Sequence, residues 1–369
     1  MERGLTLRRR ALLVLALVLT ASAAGAGGSA HAAAAGTPIP TWAYYYIWYT
    51  ATSWNRAKID YPQLGRYSSD EPSVMRTQIR LAKQAGIDGF IVSWKSTPTL
   101  NRRLALLARL AAREHFHLSV IYQGLNFARR PLPVVRIGHD LGYFVRRFAP
   151  MPAFQGAGRP LVIWSGTWEF SARDLASVTS RYRDRLQILA SERSPADYEA
   201  KAAAFDGDAY YWSSVNPDTF PGYVAKLTAM SRAVHRSGGR WIAPAAPGFD
   251  GHLVGHPTVV ARKGGDTLRR EVAAAERSNP DAVGLISWNE FSENSQVEPS
   301  HRYGATALKV LADLNGTHLD VKGVEALDSS QPDRRTGGEG AIPAILTFIV
   351  VGLVAMYVLR RRKRSRAAG

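Results

Sequence analysis

Eight short apolar runs, each followed by a stretch with helical spacing, constrain this chain more than any other feature. The runs fall at residues 42–48, 89–94, 118–123, 161–165, 186–190, 209–212, 240–245 and 283–288. They are rich in β-branched and aromatic residues, which suit a pleated, half-buried strand. The helical stretches follow at 73–85, 101–115, 140–148, 172–183, 195–205, 221–237, 266–278 and 303–314. This alternation predicts an α/β fold, a closed (β/α)8 TIM barrel forming a single domain over residues 37–320, with its site at the C-terminal ends of the strands. A doubly wound open sheet is the alternative, but the Gly-x-Gly-x-x-Gly fingerprint it favours is absent after the first run.

The two ends carry other signals. Residues 1–32 have a basic start (Arg3, Arg8, Arg9, Arg10), an apolar run over 11–24 and the small-residue sequence Ala30-His31-Ala32, the layout of a secretory signal peptide. An uncleaved anchor is the other reading. Residues 321–340 are expected to be a flexible linker. Residues 341–359 carry no charge and are long enough for a transmembrane helix, and the basic run Arg360 to Arg366 follows at once. The positive-inside rule puts the 360–369 tail in the cytoplasm and the barrel outside, in a single-pass protein of the cell membrane.

The formal charge of +17 divides unevenly: residues 1–32 account for +3 and residues 341–369 for +6, which leaves +8 on 33–340. That part shows no Lys/Arg block interleaved with aromatics, so no nucleic-acid partner is expected. The chain has no cysteine, which excludes disulfides, thiolate nucleophiles and Cys-ligated metals. Its nine histidines form no recognisable metal-binding motif.

The chemistry concentrates where the last strand ends. Glu290 and Glu293 are three apart, so a helical turn after Asn289 sets them side by side. Two carboxyls sharing a site push one pKa up, which prepares an acid beside a base. A solvated first helical turn is the competing reading, since the macrodipole favours Glu there. Tyr46, Trp48, Tyr49, Trp94, Tyr122, Gln123, Trp212, Asp250, Trp288, Asn289, Gln296 and Glu298 all fall at or just past strand ends, as do Lys95, Asn126, Trp164, Trp168, Glu192, Phe249 and His252. Aromatic faces with polar groups between them suit a sugar, which offers C–H faces and hydroxyls, so the first twelve are expected to bind substrate. Any single tryptophan among them serves packing more often than ligand contact.

Several segments resemble glycoside hydrolase family 99 in order and spacing: Tyr44-Tyr-Tyr-Ile-Trp-Tyr49, Leu64-Gly-Arg-Tyr-Ser-Ser-Asp70, Ala85-Gly-Ile-Asp-Gly-Phe-Ile-Val-Ser-Trp94, Pro247-Gly-Phe-Asp250, and Ile286-Ser-Trp-Asn-Glu-Phe-Ser-Glu-Asn-Ser-Gln-Val-Glu-Pro299. The resemblance implies a retaining endo-acting α-mannosidase or α-mannanase on a (β/α)8 barrel. It implies that Glu290 deprotonates the substrate's own 2-hydroxyl, and that Glu293 protonates the leaving oxygen and later activates water, with no metal or other cofactor. The partner it implies is an α-linked oligosaccharide or polysaccharide. Phe291-Ser292 and Asn294-Ser295-Gln296 stand where the family commonly has Trp-His and Gly-Thr-Gln, though Asn in place of Gly tolerates a left-handed backbone. A non-catalytic glycan-binding barrel and an α-1,3-glucanase-like hydrolase are the alternatives.

Overall fold

The computed structural model describes residues 38–156 and 158–329. Eight parallel strands make one sheet: β1 (Thr41–Tyr46), β2 (Gly89–Trp94), β3 (His117–Gln123), β4 (Leu161–Ser165), β5 (Gln187–Leu189), β6 (Gly207–Ala209), β7 (Arg240–Ala245) and β8 (Ala282–Leu285). Neighbours run β5-β4-β3-β2-β1-β8-β7-β6. The remaining seam closes through one parallel bridge between Ala190 and Asp208, where the Ala190 N–H donates to the Gly207 carbonyl and the Ala209 N–H to the Ala190 carbonyl, both at 2.9 Å. The expected barrel is therefore present, and its β5–β6 seam is the thinnest.

Helices α1 (Pro72–Gln84), α2 (Pro98–Arg113), α3 (Val134–Arg147), α4 (Ala172–Thr179), α5 (Pro195–Glu199), α6 (Tyr223–Arg236), α7 (Asp266–Arg277) and α8 (Thr306–Asn315) alternate with the strands. Capping sets several starts. Pro98 opens α2 behind Thr97, whose hydroxyl accepts the Leu100 N–H, and Ser194 caps α5 by accepting the Asp197 N–H. Helix α5 is shorter than the spacing suggests. The chain leaves it before Lys201, whose ammonium turns inward to Glu192 at 2.9 Å and to the Thr167 carbonyl at 3.1 Å. Helix α3 begins earlier than expected because Pro133 supplies its start without a polar cap.

Strand alternation sorts the apolar side chains into two layers. Tyr44, Ile91, Ile121, Ile163, Leu189, Ala209, Ile242 and Ile286 fill the barrel interior. Their neighbours Tyr45, Phe90, Val92, Trp94, Tyr122 and Trp164 face the surrounding helices. Two residues further along the same inward rows, Tyr46, Ser93, Gln123, Ser165, Ser191 and Tyr211 replace the apolar floor with hydroxyls and an amide.

The first nine residues of the expected linker form a helix, α9 (Val321–Ser329), with Val324 buried in the helix–sheet core. Apolar side chains there have somewhere to pack, which composition alone does not reveal. Among the described residues no helix is long and apolar enough to cross a membrane. The expected signal peptide over 1–32, the membrane span over 341–359 and the tail over 360–369 lie outside the described residues.

Candidate active site

The loop after β8 is pinned to the barrel and to itself, and this fixes both carboxyls. The Trp288 N–H donates to the Tyr44 carbonyl at 2.8 Å, and the Ser287 N–H to the Ser295 carbonyl at 2.8 Å. The Ser287 hydroxyl accepts the Glu290 N–H at 2.7 Å. The Glu293 carbonyl accepts the Asp250 N–H at 2.8 Å. Arg262 completes the brace by donating to the carbonyls of Asn294 and Gln296, each at 2.8 Å. Asn294 adopts φ +50°, the left-handed turn conformation that its sequence position allows.

Glu290 and Glu293 are both buried, at 4% and 3% exposure, so neither is a solvated helix-start residue. Burial pushes Glu290 up to about 7, opposed by the Ser292 N–H on its Oε1 at 3.0 Å and by the Lys58 ammonium. Burial also raises Glu293 well above the usual carboxyl range; the charge of Glu290 adds to the rise and Arg129 opposes it. Oε2 of Glu293 is buried and has no hydrogen-bond partner among the described residues. Such an atom is costly unless a bound group completes it. Tyr46 and Tyr211 share a hydrogen bond at 2.8 Å and lie in the electrostatic reach of both carboxyls.

A cleft opens beside this pair. Tyr46, Gln123, Ser165, Ser191 and Tyr211 form its floor over Ile121, and Arg129, Trp168, Arg193 and Tyr210 form its walls. The two glutamates do not line it themselves. Tyr46, Tyr211 and Arg129, which do, lie within electrostatic reach of them.

The residues expected to bind substrate separate into groups. Tyr46 and Gln123 line the cleft, and Gln123 donates to the Ser93 hydroxyl at 3.1 Å. Trp48 is half-buried with its ring centroid 4.3 Å from that of Tyr46. Asp250 lines a separate hollow with Arg262 and Tyr303 and pairs with His252 at 2.9 Å. Others are engaged with the protein itself, and strand alternation turns Trp94 and Tyr122 toward the helices. Trp94 and Tyr122 are fully buried, donating at 2.9 Å to Asn101 and Asp140 respectively. Trp288, also fully buried, packs on Phe90, and Trp212 packs on Tyr210, Phe220 and Tyr223.

The remaining polar residues are spent within the protein. Tyr49 stacks on Trp54 and donates to the Asn289 carbonyl at 2.5 Å. Asn289 is fully buried and bonded to the backbone of Tyr46. Gln296 donates to Asp60 at 3.1 Å. Glu298 accepts from Gln78 at 2.7 Å and Tyr67 at 2.8 Å, and burial pushes it up to about 8. Lys58, Arg129, Arg193, Tyr210 and Tyr211 are site residues the sequence reading passed over. Only Tyr211 had a readable signal, since it shares strand parity with the inward Ala209.

Among the described residues no group of His, Asp and Glu could hold a metal ion. A parallel (β/α)8 barrel with two interacting carboxyls at its C-terminal strand ends, beside an aromatic and hydroxyl-lined cleft, has the layout of a glycoside hydrolase. Residues 49–314 match the family model for glycosyl hydrolase family 99, and the chain belongs to that family. It is thus a glycoside hydrolase. Its fold is similar to that of the GH99 endo-α-mannosidase from Bacteroides thetaiotaomicron, solved with bis-tris propane: TM-score 0.66, 18% identity, 78% of this chain and 99% of that one covered. A second structure of the endo-α-mannosidase from that organism gives TM-score 0.66 at 17% identity, covering 78% and 98%. A glycoside hydrolase-like protein gives 0.58 at 17% identity, covering 75% and 96%.

Proposed function

We propose that this protein is a retaining hydrolase of α-linked mannosides within an extracellular polysaccharide, working through the substrate's 2-hydroxyl and two glutamates. The observation that carries the reading is the unpartnered, buried Oε2 of Glu293, a carboxyl held well above its usual range beside Glu290. A carboxyl raised in this way holds its proton to higher pH than an ordinary one, and its unpartnered oxygen suits it to protonate a glycosidic oxygen. Glu290, raised only to about 7, is ionised in useful amount at the same pH. It takes the proton of the 2-hydroxyl, whose oxygen attacks the anomeric carbon as the glycosidic bond breaks and Glu293 protonates the departing oxygen. A 1,2-anhydro sugar results. Glu293, now ionised, then removes a proton from water, which attacks the anomeric carbon, while Glu290 returns its proton to the 2-oxygen. Two inversions give net retention.

The exported, membrane-held location belongs to the same proposal and rests on residues 1–32 and 341–359 of the sequence. Incubating the full chain with α-1,2-linked mannan and following the released reducing ends by proton NMR tests the reaction. The α-anomer should appear first. Initial release of the β-anomer, or no release by folded protein, overturns the reading.

A further inference from the structure

On the outer faces of α2 and α3 every exposed charged residue is an arginine: Arg102, Arg109 and Arg113 on the first, Arg136, Arg146 and Arg147 on the second. Residues 98–148 contain nine arginines, no lysine and two carboxylates, which places +7 of the +8 carried by residues 33–340 in this one stretch. Both carboxylates are engaged. Glu114, just past the end of α2, pairs with Arg80 of α1 at 3.0 Å, and Asp140 is buried, where it accepts from Tyr122 at 2.9 Å and pairs with Arg136 at 2.9 Å. Asp70 reaches the face from the loop before α1 and is shared between Arg102 at 3.0 Å and the buried Arg103 at 2.6 Å. Arg109, Arg113, Arg146 and Arg147 have no ion-pair or hydrogen-bond partner among the described residues. Helix α7 differs, since its Arg269 and Arg270 pair with Asp313 and Asp266 at 2.9 and 3.0 Å.

A groove of about 490 Å³ runs between α2 and α3, with Arg102, Ala105 and Arg109 on one bank and Tyr143, Arg147 and Met151 on the other. No carboxylate is among its lining residues. Asn101, in the first turn of α2, also lines it and accepts at 2.9 Å from Trp94 at the end of β2, so one end of the groove lies at the barrel rim that carries the active site. Cations gathered along a groove repel one another, and a chain of anions relieves the repulsion at several points at once. Guanidinium forks match phosphate and carboxylate oxygens alike through paired hydrogen bonds. Helix α2 exposes no large apolar side chain and α3 exposes Val135, so these helices lack the apolar face with which a charged surface enters a bilayer.

We infer that the α2–α3 face binds an anionic polymer, whose phosphate or carboxylate groups are held in turn by Arg102, Arg109 and Arg147. The site is separate from the carboxyl pair and its cleft. Binding there holds the barrel on a polyanionic matrix and takes no part in bond cleavage.

The test measures binding of the full chain to long-chain polyphosphate and to polygalacturonate at several salt concentrations. At least one should bind, more weakly as salt rises, and the tighter of the two identifies the anion. Arg109→Glu/Arg147→Glu should weaken that binding at least about tenfold, whereas Arg232→Glu/Arg277→Glu, the same change of charge on exposed residues of α6 and α7, should weaken it less than about threefold. Hydrogen exchange on the parent protein locates the contact, and the bound polyanion should slow exchange over 98–113 and 134–147. Binding of neither polyanion, equal weakening by the two double variants, or protection that spares both helices overturns the inference. Binding to vesicles of anionic phospholipid but to neither polymer also overturns it, and assigns the face to a membrane.

Discussion

Asn289 clamps the backbone of Tyr46 from both sides: its Oδ1 accepts the Tyr46 N–H at 2.8 Å and its Nδ2 donates to the Tyr46 carbonyl at 3.1 Å. The last strand's loop is thereby locked to the end of the first strand, next to both carboxyls. Removing the amide leaves two buried backbone groups without partners. Asn289→Ala should cost roughly 2–4 kcal/mol, read as a fall in Tm and in the denaturation midpoint. A variant as stable as the parent would mean that this clamp does not hold the loop.

The carboxyl pair sets the pH profile. Glu290 must lose its proton to act as base, so kcat/KM should rise as pH increases through about 7. Glu293 must keep its proton, so activity should fall at higher pH, once that carboxyl ionises. The two limbs belong to the pair rather than to either residue alone. An optimum near pH 4–5, where both carboxyls of this site are protonated, would contradict the assignment.

Two cations tune those limbs. Lys58 pulls Glu290 down, so Lys58→Met should move the acid limb to higher pH. Arg129 pulls Glu293 down, so Arg129→Met should move the alkaline limb up. Profiles of the two variants that superimpose on the parent's would show that neither charge reaches its glutamate.

Burying Glu290 also costs stability, with a definite sign. Its folded-state pKa is raised from 4.5 to about 7, so the folded protein binds the proton more tightly than the unfolded chain does. Stability from this group is therefore full below about pH 4.5 and is lost as pH rises through about 7. Glu290→Gln should be more stable than the parent above pH 7, by roughly 2–4 kcal/mol, with the gain vanishing toward pH 4. Thermal melts at several pH values check this, and a variant less stable at pH 8 than its parent would contradict it.

Trp94 and Trp168 provide a contrast between core and cleft. Trp94→Phe should lower stability by roughly 1–2 kcal/mol through lost volume and the lost bond to Asn101, and leave glycan affinity alone. Trp168→Ala should do the reverse, weakening glycan binding several-fold with little change in Tm. Calorimetric titration beside thermal melts separates the two.

The barrel was legible because each unit carries its own pattern: β2, β4 and β7 begin and end where the apolar runs do. That Glu290 and Glu293 lie together could also be expected, since they stand in one short loop, and the structure buries both within reach of each other's charge. What proximity to a strand end could not show was facing. Trp94 and Ser93 are adjacent, yet Ser93 continues the inward row and Trp94 turns to the helices. Arguing from aromatic type thus singled out Trp94, Tyr122 and Trp212, which pack among the helices, and overlooked Tyr211. Lys58, Arg129 and Arg193 arrive on loops whose course depends on long-range packing, which no local spacing encodes. The loop after β8 looked like an open, ligand-facing segment because of its amides and carboxyls. In the fold, Asn289, Gln296 and Glu298 are buried and committed to protein partners.

The most direct test compares turnover of an α-1,2-linked mannan oligosaccharide by the parent, Glu290→Gln and Glu293→Gln, with Tm measured on each protein. Both substitutions should lower kcat/KM by about a thousandfold or more while the proteins stay folded, since each removes a proton transfer that the reaction requires. A folded variant of either kind that turns over near the parent's rate would contradict the account.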